Sequence, residues 1–238
     1  MKTVKWSFHT GQQTGIDHPD CIKEIIDEDY KPYVSLSSDI LKNRKDVTFI
    51  KCPAVTDFMK STYVFKSPFD LNLNIEVTNN FSEVYIDNIS QEIFDNIVDL
   101  RFLENQERGQ SPHPLIGIDF LSTFTCDTPV MMQVFPAFMH YNNFTSKTCV
   151  VPGEYDISKW IRPVELVFEV KNKRERIEIR KGDALCYFKF TANDAIKLEK
   201  NFTPWEEITI CNDLRNKNKF RPLKERYESY KEHKNGKS

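Results

Sequence analysis

The sequence predicts a mainly β protein: a β-sandwich or jelly-roll-like domain with a helical insertion and a C-terminal amphipathic helix. Two stretches carry this prediction. In residues 164–170 apolar residues alternate with Glu165 and Glu169, which is the pattern of a half-buried strand. After a turn at Gly182, residues 184–190 are apolar on both faces, as expected of a strand between two packed layers.

The first half of the chain contains four further predicted strands and two helices. Residues 4–9 form a short aromatic strand, and residues 10–47 are polar and irregular apart from a short helix at residues 21–26. Proline at the first turn predicts a helix over residues 53–60. The strands that follow, at residues 62–66, 70–77 and 81–86, are expected to form a meander.

The period changes in residues 90–104. Ile93, Ile97 and Leu100 fall on one helical face, and Ser90 is a good N-cap, so a helical insertion is expected here. Beyond a polar loop, residues 116–125 and 130–138 are predicted to be long core strands. A polar turn is expected at residues 142–146, before a strand at residues 148–151.

The second half completes the predicted order. Residues 171–176 suit a hairpin connection, and residues 196–199 and 207–211 suggest weaker strands. In the tail, Phe220, Leu223, Tyr227 and Tyr230 recur at helical spacing. The chain therefore divides into an irregular arm (1–47) packing on the core, a β domain (48–212), and a C-terminal helix with a charged tail (213–238).

Composition narrows the possible functions. The formal charge of −2 over 238 residues produces no field that would attract nucleic acid or anionic membrane. No apolar run is long enough to span a bilayer, and the first residues lack the apolar segment of a signal peptide, so export by that route is not expected. The six Cys include no closely spaced pair, which favours reduced, buried thiols over zinc ligands or disulfides.

Metal and cofactor chemistry has little support in the sequence. The closely spaced His ligands of a cupin are absent. His18 and Asp20 match the first half of an iron facial triad, with His113 or His140 as a conceivable third ligand. Pro19 between them favours a loop that precedes the core strands, so a surface turn is the preferred interpretation, and neither a metal nor a cofactor is predicted.

Catalytic motifs also fail to appear. The Gly-Ile-Asp segment at residues 117–119 resembles a short motif of deoxyuridine-triphosphate hydrolases, but the partner motifs of that family are missing. The sequence has neither the nucleophile elbow of a hydrolase nor a Walker loop. Cys149 and His140 are the nearest thiol–imidazole pair, although a Cys in a strand usually packs in a core. No catalytic residue is predicted.

Three groups of residues could bind a ligand or partner. The first lies in a turn bounded by Pro and Gly. For it the preferred interpretation is structural: Asp156 caps a helical turn and Trp160 plugs one end of the sandwich. Its members are Asp156, Lys159, Trp160 and Arg162. The second, for which capping and turn roles are preferred, is Asp57, Lys60, Ser67 and Asp70. The third comprises the polar candidates for positions inside the fold, Gln133, His140 and Tyr187.

Three segments resemble a family of proteins of unknown function from tailed bacteriophages, especially marine and cyanobacterial phages. They are KCPAVTDFMKSTYVFKSPFDLNL at residues 51–73, the aromatic strands of residues 118–141, and PGEYDISKWIRPVELVF with the later KGDALCYFKF. The resemblance implies a β-sandwich phage protein located in the host cytoplasm or the virion. It brings no catalytic residues to this chain.

These observations favour a non-enzymatic bacteriophage virion or accessory protein that works through protein–protein contacts or self-association, with the C-terminal helix as a docking element. One alternative is a small-molecule or metal-binding enzyme on a cupin-like or nucleotide-hydrolase-like β fold. Another is an inhibitor of a host enzyme or defence system, which the sequence does not separate from the first.

Overall fold

The computed structural model describes residues 1–8, 31–43, 48–77, 82–87, 101–103, 115–120, 122–159 and 164–201, together with Glu228 and Glu232. The strands of the first half are β1 (Lys2–Phe8), β2 (Tyr33–Ser35), β3 (Thr62–Lys66), β4 (Leu71–Val77), β5 (Ser82–Ile86), β6 (Arg101–Leu103), β7 (Leu115–Asp119) and β8 (Ser122–Thr125). Those of the second half are β9 (Met131–Pro136), β10 (Thr148–Val150), β11 (Gly153–Asp156), β12 (Glu165–Val170), β13 (Arg174–Ile179), β14 (Ala184–Thr191) and β15 (Ile196–Lys200). The helices are α1 (Leu36–Asn43), a 3-10 turn (Thr48–Lys51), α2 (Pro53–Met59) and α3 (Asn143–Lys147).

The described strands form four sheets, which confirms that the protein is mainly β. The largest sheet has the order β11-β9-β14-β3-β2, and a four-stranded sheet has the order β10-β12-β7-β6. The two smaller sheets are β15-β1-β8 and β13-β4-β5. The neighbours β1 and β15 run parallel, whereas the other paired strands of these sheets are antiparallel.

An aromatic cluster holds the main core together. Tyr33 of β2 lies at its centre, with ring centroids 5.0 Å from Trp6, 5.2 Å from Phe65, 5.1 Å from Phe124 and 5.6 Å from Phe188. All five side chains are almost completely buried. Because Trp6 and Phe124 belong to the β15-β1-β8 sheet, the cluster joins that sheet to the five-stranded one.

The opposite face of the five-stranded sheet has a separate core, here called the helix-covered core. Val64 of β3 and Tyr187 of β14 are completely buried there. Leu36 and Ile40, four residues apart on α1, pack against this face together with Met59 of α2. The sheet is thus buried on both sides, by strands on one face and by helices on the other.

Individual strands were predicted well, but several of their connections were not. Residues 164–170 and 184–190 correspond to β12 and β14. Residues 171–176 do not form a hairpin, because β13 begins at Arg174 and pairs with β4 from Arg174↔Glu76 to Ile179↔Leu71. Consecutive strands β12, β13 and β14 therefore lie in three different sheets. The expected meander is correct for β4 and β5, whereas β3 belongs to the five-stranded sheet.

Two other predictions are wrong because tertiary packing overrides the local pattern. Residues 33–43, expected to be irregular, form β2 and α1, whose apolar residues fill both cores. Residues 116–125 are not one strand: β7 pairs with β12 and β8 pairs with β1. Between them Phe120 is buried against Phe65, with ring centroids 5.2 Å apart.

The helix predictions had mixed outcomes. The helix at residues 53–60 is confirmed as α2, but the polar turn at residues 142–146 is instead the short helix α3. Residues 101–103, the end of the predicted helical insertion, form β6, because they pair with β7. The rest of that insertion, the helix at residues 21–26 and the strand at 207–211 lie outside the described residues. So do the apolar positions of the predicted tail helix, Phe220, Leu223, Tyr227 and Tyr230.

The Tyr33 ring and its hydroxyl should make opposite contributions to stability. The hydroxyl is buried and, with that of Ser122, lacks a hydrogen bond of ordinary geometry within the described residues. Burial raises the pKa of Tyr33, although the nearby Ser122 hydroxyl partly offsets the rise. We expect Tyr33→Ala to lower the free energy of unfolding by about 3–5 kcal/mol in urea denaturation. Tyr33→Phe should leave it unchanged or raise it by up to about 1 kcal/mol. A clear loss of stability in Tyr33→Phe would show that the hydroxyl has a partner.

Candidate functional site

Two of the predicted site residues, His140 and Tyr187, meet in the structure. The His140 Nδ1 atom lies 2.7 Å from the Tyr187 hydroxyl, which also accepts a hydrogen bond of 3.0 Å from the Met139 backbone N–H. Gln133 lies elsewhere on β9, where its amide donates to Glu154 of β11 over 3.0 Å. The structure therefore joins two members of the predicted triplet and gives the third a cross-strand partner.

Asp39 and Lys66 extend this pair into a partly buried polar network. The His140 Nε2 atom lies 2.7 Å from Asp39 Oδ2, and the Lys66 ammonium donates to Asp39 Oδ1 over 2.7 Å. The Asp39 side chain is only 11% exposed. Neither residue was predicted from the sequence. Asp39 lies in the segment expected to be irregular, about a hundred residues before His140, and Lys66 ends a predicted strand.

Hydrogen-bond chemistry assigns the tautomer of His140. An ionised Asp39 can only accept, so Nε2 carries the proton and donates to it. The remaining nitrogen, Nδ1, then accepts the Tyr187 O–H in the neutral ring. Both ring nitrogens are consequently engaged within the protein, and the hydroxyl that faces Nδ1 belongs to the completely buried Tyr187.

Opposing effects set the acidity of Asp39. Burial is the largest single effect and by itself raises the pKa of this carboxyl. The hydrogen bonds and charges of Lys66 and His140 together outweigh burial, so the pKa of Asp39 is lowered from its ordinary value. The network is therefore assembled around an ionised Asp39.

A cavity of about 700 Å³ lies beside this network, between the end of β9 and strand β10; it is called the β9/β10 cavity below. Buried Ala137, Phe144, Val150 and Leu185 contribute apolar surface, and His140 forms part of the wall. Three aromatic residues of the wall remain exposed: Phe49 by 45%, Phe138 by 65% and Tyr141 by 89%. The other wall residues are Pro136, Met139, Thr145, Ser146, Thr148, Cys149 and Lys171.

Helix α3 provides one side of the cavity, and its sequence explains its position. The Asn142 side chain caps the helix by accepting from the Thr145 N–H over 2.9 Å, and the Thr145 hydroxyl accepts in return from the Asn142 N–H over 3.0 Å. The Asn142 amide also donates to the Ala184 carbonyl over 2.8 Å, which ties the cap to β14. This reciprocal cap was present in the sequence as Asn-x-x-Thr, and it could have revealed the helix.

The predicted Asp156 group is engaged within its own turn. Asp156 accepts from the Ser158 N–H and hydroxyl, and it pairs with Lys159 over 2.6 Å. Burial, the largest effect, opposes ionisation of Asp156, but these partners together lower its pKa. This geometry matches the capping alternative for Asp156. Trp160 and Arg162 lie outside the described residues.

The second predicted group also makes capping and turn contacts. Asp57 pairs with Lys60 over 2.7 Å, and the Ser67 hydroxyl donates to the Phe69 carbonyl over 2.6 Å. Asp70 accepts from the Lys181 N–H over 2.6 Å. Each polar group therefore has a local role, and no shared cleft among them is evident in the described residues.

Cysteine placement differs from the prediction. None of the four cysteines in the described residues, Cys52, Cys126, Cys149 and Cys186, forms a disulfide. Cys186 is buried as expected. Cys52 is exposed because it lies at the N-cap of α2, and Cys149 is exposed on the edge strand β10. Burial raises the pKa of the Cys186 thiol.

Within the described ranges, no three His, Cys, Asp or Glu side chains are grouped to hold a metal. His18, Asp20 and His113 lie outside those ranges.

Comparisons of the chain with protein-family models, curated proteins and solved structures find no match. In the part of the chain that the structure describes, no helix has the length and apolar character needed to cross a membrane.

Acid should weaken the contribution of Asp39 to stability. Its pKa is lower in the folded protein than in the unfolded chain, so ionised Asp39 stabilises the fold above the unfolded value and this stabilisation fades as pH falls through the folded value. We expect wild type to unfold with a larger free energy than Asp39→Asn near neutral pH, with a gap that narrows below about pH 4. Urea denaturation across this range measures the gap. A gap independent of pH would contradict the assignment of an ionised Asp39.

Loss of the Tyr187 hydroxyl should destabilise the protein. Tyr187→Phe leaves the Met139 N–H and His140 Nδ1 without this partner, at a cost of about 1–3 kcal/mol in the free energy of unfolding. Tyr33→Phe is the matched control, because it removes a buried hydroxyl that lacks an ordinary hydrogen bond to the described residues. Equal effects of the two substitutions would refute the network as a source of stability.

Proposed function

We propose that this chain is a non-enzymatic binding protein that holds a partner protein at the β9/β10 cavity. The observation that carries the proposal is the exposure of Phe49, Phe138 and Tyr141 around one cavity. Aromatic side chains are enriched at the centres of protein interfaces, where their burial supplies much of the binding energy. Three of them around one concave surface therefore favour a protein partner.

Phe138 is held in place before any partner binds. Its ring centroid lies 5.7 Å from that of Phe58 and 5.5 Å from that of Tyr187. One side of the ring thus packs on the helix-covered core while 65% of the residue stays exposed. A side chain already fixed in one orientation loses little conformational entropy on binding, which favours affinity.

The alternative of a small-molecule or metal-binding enzyme has weaker support. Its best candidate base is His140, whose Nε2 donates to Asp39 and whose Nδ1 accepts from the Tyr187 hydroxyl. Because Tyr187 is completely buried, that hydroxyl lies out of reach of a ligand. A general base needs a nitrogen within reach of the substrate proton. The remaining alternative, an inhibitor of a host enzyme or defence system, would use the same surface and differs only in the identity of the partner.

The wider context of this proposal is a bacteriophage virion or accessory protein, in the host cytoplasm or the particle, as the family resemblance implies. We also propose that the four sheets pack as a β-sandwich of the jelly-roll type, with a C-terminal helix beyond residue 213. Two features support this arrangement: consecutive strands change sheets, and one buried cluster draws residues from all four sheets.

Site-specific crosslinking tests the binding surface. A photoreactive phenylalanine at position 141 should crosslink a discrete protein in extracts of the source cells, and excess wild-type protein should suppress the product. The same residue at position 41 is the matched control, since Leu41 is also exposed (57%) but lies outside the cavity wall. Equal labelling from both positions, or none from position 141, would refute the proposal.

Phe138→Ser should then weaken the identified complex by roughly tenfold to a hundredfold, because a buried aromatic anchor contributes about 1.5–3 kcal/mol. Leu41→Ser should leave affinity unchanged. Titration calorimetry with the purified partner measures both. Metal analysis of the same preparation tests the enzyme alternative, which a stoichiometric bound metal would favour.

A further inference from the structure

We propose that the occupant of the β9/β10 cavity is a polypeptide segment in which a large apolar side chain stands next to a carboxylate, with the carboxylate paired to Lys171. This inference rests on the proposed function and specifies the chemistry of the partner. Two separate features of the cavity support it: the apolar lining and the positive charge of Lys171.

The cavity wall has an unbalanced positive charge. Its lining residues include no Asp or Glu, and Lys171 is the lysine among them. Two further lysines close to the polar network and to α3 are already paired, Lys66 with Asp39 over 2.7 Å and Lys147 with Glu175 over 3.0 Å. Among the described residues, Lys171 has no such acidic partner.

Two contacts with the end of α3 hold Lys171 in position. Its backbone N–H donates to the Lys147 carbonyl over 3.0 Å, and its ammonium donates to the Ser146 carbonyl over 2.7 Å. An ammonium group has three N–H donors, so further donors remain for an incoming acceptor. A carboxylate is the acceptor that would also neutralise the charge.

The interior of the cavity suits an apolar side chain. Ala137, Phe144, Val150 and Leu185 are buried apolar residues of its wall, and Phe144 is fixed by an edge-to-face contact with Phe168 at 5.0 Å. A volume of about 700 Å³ is ample for a phenylalanine or leucine side chain together with neighbouring main chain. The ligand therefore combines an apolar group with one negative charge.

The neighbouring strand indicates a polypeptide in preference to a free amphiphilic acid. Strand β10 contributes Thr148, Cys149 and Val150 to the wall, and it lies at an edge of its sheet in the described part of the chain. An edge strand can accept an extended peptide through main-chain hydrogen bonds, while a pocket beside it takes one side chain. A fatty acid has no main chain to pair in this way.

A matched pair of dyes tests the charge requirement. Anilinonaphthalene sulfonate carries an apolar ring system and one anionic group, and phenylnaphthylamine has the same rings without the charge. Fluorescence titration of the folded protein should give roughly fivefold tighter binding of the sulfonate. Lys171→Glu should weaken sulfonate binding by about tenfold and leave phenylnaphthylamine within about twofold. Lys173→Gln is the control, since Lys173 is exposed in the same turn but outside the cavity wall.

A second pair of probes separates a peptide from a free acid. Acetyl-Gly-Phe-Glu-Gly-amide should displace the sulfonate dye, and acetyl-Gly-Phe-Gln-Gly-amide should do so at least fivefold more weakly. Displacement by decanoate but by neither peptide would overturn the proposal in favour of a free amphiphile. Circular dichroism of each variant confirms that the fold is retained.

The outcomes also distinguish this inference from the proposed function. Cys149→Trp places a large ring in the cavity from an exposed position and should abolish binding of both dyes. One set of results would overturn the carboxylate requirement alone. In it, Cys149→Trp abolishes binding of both dyes, wild type binds the two dyes equally well, and Lys171→Glu has no effect. Binding of neither dye to wild type, or binding unaffected by Cys149→Trp, would count against the cavity as a binding site and so against both proposals.

Discussion

The structure depends on one constraint: the five-stranded sheet must be buried on both faces. Strand β14 shows this most clearly, since Leu185, Cys186 and Tyr187 are all completely buried although successive side chains point to opposite faces. Tyr187 belongs to the helix-covered core. Leu185 and Cys186 both belong to the main core, and a bulge shifts the register of β14 between Ala184 and Cys186. A sheet with apolar side chains on both faces needs a covering layer on each face.

The two covering layers are built from different parts of the chain. The strands β1, β8 and β15 bring Trp6, Phe124 and Leu198 to one face, whereas α1 and α2 cover the other. The parallel pairing of β1 with β15 joins segments almost two hundred residues apart, and the Asn201 N–H donates to the Trp6 carbonyl over 2.7 Å. Closure of the main core therefore requires nearly the whole described chain.

The candidate site lies at the margin of this arrangement. Beyond β9 the chain leaves the sheet, and the Tyr187 hydroxyl, the Met139 N–H and His140 satisfy one another there instead of reaching water. Asp39 and Lys66 complete the hydrogen bonding, so the polar groups of this margin are matched internally. The surface beside this margin is apolar and aromatic, and it carries the charge of Lys171.

The sequence by itself determined the mainly β class and the positions of β4, β12, β14 and α2. Local periodicity encodes these features, because alternation and an N-terminal proline act over a few residues. Only the tertiary structure decided that β12, β13 and β14 enter three sheets, that residues 33–43 are part of both cores, and that Asp39 meets His140. These depend on pairings between distant segments, whose free energy comes from burial on partners that no local pattern identifies.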